Sequence, residues 1–302
     1  MSEKDIAEKS LLAYNDVFAD IVNAFIFGGE CKVKESDLTD AQTDSIYKPF
    51  ESIKSQTRDV AKFWNKGKIH IGCIGLENQT KIDKDMALRV MNYDAAVYRS
   101  QLDGKKEDEK QDKHFPVVTL VLYFGTEQKW EKNKSLLERL EIPDEKMLPF
   151  VNDFKINVFN LAWLSDEEIA LFKSDFRDVL GYLRAARLKQ TYAGSKNEIA
   201  HIAAILDLFK ALSGNNKFDE IKANVLSSVK AQGGIKMFDV LQANINAGVS
   251  RGRSEGITLG RSEGIDSAAH LFATLFAQGR DEDAKRAATD KAYLQQLLSE
   301  QV

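Results

Sequence analysis

Cysteine, histidine and proline are scarce in this chain of 302 residues. The two cysteines, Cys31 and Cys73, form no Cys-x-x-Cys pair, which excludes a disulfide framework and a zinc knuckle. Histidines stand alone at 70, 114, 201 and 270, which argues against a His-built metal centre or a Ser–His triad. Four prolines among many Lys, Glu, Ala and Leu favour helix. Long apolar runs are also missing. The longest, "FPVVTLVLYFG" at 115–125, is too short to span a bilayer. The opening "MSEKDIAEKS" is too charged for a signal peptide. Nor is there an excess of positive charge: the net charge is −4, so contact with DNA has to come from a local basic surface. These absences predict a reduced, cytoplasmic protein with no membrane partner.

A hydrophobic content of 43% is enough for one large or two modest domains with a real core. Residues 11–27, "LLAYNDVFADIVNAFIF", read as one amphipathic helix with Leu11, Tyr14, Phe18, Ile21, Val22 and Phe25 on a broad face. A polar, irregular stretch follows over 28–57. "RDVAKFW" at 58–64 and "KIHIGCIGLENQ" at 68–79 read as a hairpin around a Gly-containing turn. Asp83 is placed to cap a helix ending near Ser100. Residues 101–114 form a charged loop, 115–125 a buried strand and 156–162 a shorter one. This order is mixed α/β. Beyond Leu188 the pattern is helical, with "SKNE" at 195–198 as a capping box before Ile199, Ile202, Ile205, Leu206 and Phe209. Further helices are expected near 217–231, 235–246, 266–278 and 281–299.

One internal repeat stands out. Gly248, Gly252, Gly256, Gly260 and Gly264 recur every four residues, and "GRSEGI" occurs twice. Each glycine costs a helix roughly 1 kcal/mol relative to alanine. Two readings remain open at this point: a helix whose bare stripe lets a second copy approach, or a flexible linker.

The strand at 68–79 ends in Glu77, Asn78 and Gln79. Residues two apart share a face of a strand, so Glu77 and Gln79 point the same way. Asp59, near the start of the preceding strand, is a second carboxylate. Two carboxylates, an amide oxygen and the backbone carbonyl of Asn78 are hard oxygen donors suited to Mg²⁺ or Mn²⁺. A second Glu-x-Gln, at Glu109 and Gln111, lies in the charged loop and is a decoy. With Lys66-Gly67 as a two-residue turn, Asp59 falls opposite Ile74, and Glu77 then has the wrong parity. A bulge or a strong twist at 72–76, where Gly72 and Gly75 tolerate a bulge, would bring the acids to one face. The alternative is a solvated polar strand end.

The stretch "RDVAKFWNKGKIHIGCIGLENQTKIDKDMALRVMNYDAAVYR" resembles the PD-(D/E)XK nuclease family of transposases, also described as Rpn recombination-promoting nucleases or YhgA-like transposase domains. "PVVTLVLYFGTEQKW" and "INVFNLAWLSDEEIALFKSDFRDVLGYL" extend the likeness to roughly residues 12–190. The resemblance implies a restriction-endonuclease-like core, a central mixed sheet flanked by helices, followed by a helical C-terminal region. It also implies Mg²⁺-dependent DNA cleavage linked to recombination or mobile-element movement. By position, Asp59 matches the first aspartate of the motif and Glu77 its second acid. Gln79 stands where the wider superfamily has lysine. It is neutral, so it can position a water but cannot favour a hydroxide. The implied domains are a nuclease-like domain at 1–190, a helical extension at 191–247, the glycine segment at 248–265 and a helical tail at 266–302.

Supporting residues follow from the same comparison. Met86, Arg89 and Tyr93 fall on one helical face, where Arg89 either holds a phosphate or simply pairs with Asp85. An acid on the first helix, Asp20, is expected near the metal, with a capping role as the alternative. Lys173, Arg177, Arg184 and Arg187 form a helical stripe that either follows DNA or is a solvated face. A non-catalytic DNA-binding protein on the same fold and a helical self-assembly module are the rival functions.

Overall fold

The computed structural model describes residues 3–41, 44–47, 54–57, 59–65, 69–76, 82–102, 114–229 and 235–300, with 44–47, 54–57, 69–76 and 226–229 given by their backbone. The chain divides into two units, Met1–Leu241 and Gln242–Val302.

The first unit is built on a five-stranded mixed sheet. Its strands are β1 (Leu38–Asp40), β4 (Val60–Trp64), β5 (Ile69–Leu76), β6 (Val117–Tyr123) and β7 (Asn157–Asn160), in the order β1-β4-β5-β6-β7. β1 and β5 flank β4 antiparallel, whereas β5, β6 and β7 run parallel. A parallel pair needs a crossover, and α3 (Met86–Ser100) supplies it between β5 and β6. A separate ladder joins β2 (Asp44–Tyr47) to β3 (Lys54–Thr57).

β6 shows why the sheet is covered twice. Its sequence, VVTLVLY, is apolar at nearly every position, as a strand buried on both faces should be. Leu120 and Leu122 belong to a large cluster with α1 (Glu3–Leu12), α2 (Asn15–Phe27), α5 (Phe176–Arg187) and α6 (Ile202–Ser213). Val121 and Tyr123, which point the other way, join Met86, Val90, Tyr93 and Trp130. The sheet therefore lies between two apolar layers, which is a mixed α/β architecture.

Four expectations need correction. The helix expected over 11–27 is two helices, bent by 83° between Leu12 and Asn15. Tyr14 is extended there, and its ring stacks on His201 at 3.7 Å between centroids. His201 Nε2 also lies 2.9 Å from an Asp16 oxygen, so the corner is pinned to the start of α6. The bulge expected at 72–76 is absent. β5 pairs with β6 residue for residue from His70↔Val117 to Leu76↔Tyr123, and with β4 from Trp64↔Ile69 to Val60↔Cys73. That register is the one expected, and it leaves no extra residue to accommodate. "SKNE" opens no helix: the Ser195 hydroxyl donates to Asp178 at 2.8 Å, and Glu198 lies in a two-residue strand, β8 (Glu198–Ile199), paired with β9 (Ile235–Lys236). A true capping box, Ser165 with Glu168, starts α4 (Asp166–Ala170). Lastly, α5 begins at Phe176, so Lys173 stands in the break before it and not on the helix.

After α7 (Lys217–Val229), the glycine segment is helical: α8 runs unbroken from Met237 to Ala277. In the second unit Leu271 and Leu275 of α8 pack with Ala284 and Ala287 of α9 (Asp281–Thr289) and Leu297 of α10 (Lys291–Glu300). Among the described residues, no single helix is long and apolar enough to cross a membrane.

Candidate active site

Glu77, Asn78 and Gln79 lie outside the described residues, as does the Lys66-Gly67 turn. What is described is the ground on which they stand. β5 ends at Leu76, α1 packs beside β5, and Asp59 immediately precedes β4.

α1 brings an acid that the sequence reading did not include. Ala7, Leu11 and Leu12 form its buried face, and Glu8 lies on that face with them, 1% exposed. Neither Glu8 carboxylate oxygen has a hydrogen-bond partner among the described residues. Burial of a carboxylate without partners is costly, and it favours the neutral acid. Burial, then the negative charges of Asp59 and Asp5, push the Glu8 carboxyl up to about 8, against a smaller opposing pull from Lys4. Lys4 itself is pushed down by burial, with Glu8 and Asp5 acting against that shift. Asp59 is mostly buried and makes an ion pair with Lys9 Nζ at 3.5 Å. α1 therefore carries two faces of the same site: Glu8 turned inward near Asp59, and Lys9 bridging to Asp59 from the adjacent position.

The chemistry of this arrangement is that of an acid pair. Two carboxyl groups near each other resist joint ionisation, and Lys9 pairs with Asp59. A hard divalent cation would fit, because it accepts the oxygen donors that protein hydrogen bonds leave unused. No group of three or more His, Cys, Asp or Glu side chains is arranged as a metal site among the described residues.

The other candidates are placed as follows. Asp20 accepts backbone N–H bonds from Lys173 at 2.9 Å and Ser174 at 2.7 Å, so its carboxylate ties α2 to the entry of α5. Arg89 pairs with Asp83 at 2.8 Å and donates to the Tyr93 hydroxyl at 3.4 Å, whereas Asp85 is taken by Arg139 at 3.1 Å. Met86 and Tyr93 are core residues of the apolar layer on the sheet face opposite α1. The basic stripe is not an open face. Arg184 pairs with Asp166, and Arg187 donates to the Ala162 carbonyl at 2.7 Å beneath the Trp163 ring. Arg177 is half-buried; only Lys173 is exposed.

The Glu8 signal was present in the sequence. On a helix over residues 3–12, Glu8 falls beside Leu11 and Leu12, and a carboxylate on an apolar stripe is an anomaly. A first helix begun at Leu11, where the strongest amphipathic pattern starts, leaves Glu8 outside it.

No curated protein and no solved structure matches the chain. A family model described as "Putative transposase, YhgA-like" matches residues 64–212. The match includes Glu77, Asn78 and Gln79 and begins after Glu8 and Asp59. Through residues 64–212, just under half of its length, the chain is similar to the family of YhgA-like putative transposases.

Proposed function

We propose that this protein is a metal-dependent DNA endonuclease of PD-(D/E)XK type, acting in recombination or mobile-element movement. The family description supports a mobile-element role. One observation carries the nuclease reading: a fully buried carboxylate, Glu8, without a hydrogen-bond partner among the described residues, held near Asp59 beside the strand that precedes Glu77-Asn78-Gln79 in the sequence. A mixed sheet between two apolar layers is consistent with a restriction-endonuclease-like core.

In this reading Asp59, Glu77 and Glu8 hold Mg²⁺ or Mn²⁺, with the Asn78 carbonyl as a further donor. The ion supplies charge neutralisation at the phosphodiester and acidifies the attacking water. Glu8 must lose its proton for the ion to enter, so metal uptake releases a proton. Gln79 orients through its amide and contributes no charge. Lys9 holds Asp59 in place until the ion arrives. Arg177 is the member of the basic stripe best placed to meet DNA, since Arg184 and Arg187 have protein partners and the Lys173 ammonium donates to the Gly29 carbonyl and the Cys31 sulfur.

The test is cleavage of supercoiled plasmid by the purified protein across Mg²⁺ and Mn²⁺ concentrations. Glu8→Gln, Asp59→Asn and Glu77→Gln should each lower cleavage by orders of magnitude while preserving the fold. Any two together should be little worse than one, since groups serving one ion act as a unit. Glu109→Gln should change nothing. A wild-type protein that binds DNA yet cleaves none with any divalent metal would leave the non-catalytic reading in first place.

A further inference from the structure

Residues 245–267 of α8 are exposed on every side of the helix. Ile245, Val249, Ile257, Leu259 and Ile265 are each at least half exposed. A Cβ built at Gly248, Gly252, Gly256, Gly260 or Gly264 would meet nothing within 4 Å. Glycine weakens a helix, and most helical stability in proteins comes from packing one face. A helix this long, glycine-rich and bare lacks the contact that would hold it.

The charges beside the glycines say what that contact is. A helix turns about 100° per residue, so residues four apart form slowly drifting rows. One row beside the glycines reads Val249, Arg253, Ile257, Arg261. The row on the other side reads Arg251, Glu255, Leu259, Glu263, with Arg251 one turn before Glu255. Arg253, Arg261 and Glu263 have no opposite charge three or four residues away in their own helix, where such a partner would sit. From residue 253 onward the two flanks are thus of opposite sign, and they carry matching apolar residues.

We propose that α8 pairs with α8 of a second copy, parallel and in register, along the glycine row. A two-fold axis parallel to the helices sets the basic flank of each copy against the acidic flank of the other. Arg253 then meets Glu255, Ile257 meets Leu259, and Arg261 meets Glu263, once on each side of the seam. An antiparallel pair would instead set the Arg253 and Arg261 flank of one copy against the same arginine flank of the other. The absence of Cβ atoms along the seam lets the backbones approach closely, and the isologous contact closes as a dimer.

Multi-angle light scattering on the full chain should give twice the monomer mass. Gly256→Leu with Gly260→Leu should halve that mass while circular dichroism keeps its helical signal, because leucine strengthens the isolated helix. Arg253→Glu with Arg261→Glu, and separately Glu255→Arg with Glu263→Arg, should each be monomeric, and their mixture should recover the dimer mass. Orientation is read in a Cys31→Ser background. Gly252→Cys, on the seam itself, should form a disulfide with its own copy, whereas an antiparallel pair would link Gly252→Cys to Gly260→Cys in the mixture and leave Gly252→Cys alone unlinked. A monomeric wild type, a dimer indifferent to the glycine replacements, or the mixed crosslink alone would each overturn the proposal.

Discussion

Replacement of Glu8 by glutamine should stabilise the protein, and only at high pH. The unfolded chain titrates Glu8 near 4.5, and the folded chain near 8. Between those values the folded protein keeps a proton that the unfolded chain has released, so stability falls as pH rises. The favourable contribution of the protonated acid is complete below about 4.5 and is lost as pH climbs through 8. A gap of about 3.5 units, at about 1.36 kcal/mol per unit, sets an upper scale of roughly 5 kcal/mol. Glutamine does not titrate, but its buried amide also lacks partners, at a cost of about 1–3 kcal/mol. That cost is the same at every pH and cancels when two pH values are compared. From pH 5 to pH 9 the stability of Glu8→Gln relative to wild type should therefore swing by about 4 kcal/mol in its favour. Trp64, Trp130 and Trp163 all lie in the first unit, so their fluorescence reports unfolding of the unit that holds Glu8. In urea with EDTA, the swing corresponds to a midpoint difference of about 2 M. Mg²⁺ at pH 8 should then raise the wild-type midpoint and leave that of the variant where it was. An equal effect of Glu8→Gln at pH 5 and pH 9 would refute the account, because it would mean that Glu8 is not held protonated by its surroundings.

Other consequences separate structural from functional roles. Asp20→Ala removes the acceptor for the Lys173 and Ser174 N–H groups and should cost about 2–3 kcal/mol in urea unfolding, with divalent-metal affinity by calorimetry unchanged. Arg187→Gln should cost about 1 kcal/mol, because it loses the Ala162 carbonyl and the Trp163 ring, whereas Arg177→Gln should act chiefly on DNA affinity and its salt slope. Gly194 sits at a φ of +83°, where an added Cβ would come within 2.5 Å of the Phe238 nitrogen; Gly194→Ala should therefore lower the thermal midpoint sharply.

The parts of this fold that the sequence made legible are those set by local periodicity. β6 is continuous and β-branched, α3 follows its polar entry, and the hairpin register follows from the turn length alone. What was not legible depends on partners far along the chain. The break at Ala13 and Tyr14 cannot be read from residues 11–27, because the amphipathic pattern runs straight through it. It is fixed by His201, which meets Tyr14 and Asp16 from the start of α6. Asp20 shows the same limit. An acid on the first helix is a fair metal candidate until Lys173 and Ser174, more than 150 residues away, donate to it.

Glu8 marks the opposite case, a local signal that a wrong helix boundary concealed. Once α1 is allowed to begin at Glu3, Glu8 stands on its apolar stripe with no sequence neighbour able to neutralise it except Lys4 and Lys9. Lys4 opposes its protonation only weakly, and Lys9 is engaged with Asp59. A structural carboxylate would have been given a donor, as Asp20, Asp175 and Asp178 have been. All three accept backbone N–H bonds that fix a turn or a helix entry; Glu8 accepts none among the described residues. The one buried acid of the first unit left without a hydrogen bond among the described residues is therefore the one beside Asp59 and the strand leading to Glu77, and that contrast, more than the acidity of the site, is why we propose Glu8 as a ligand and read the other three as caps.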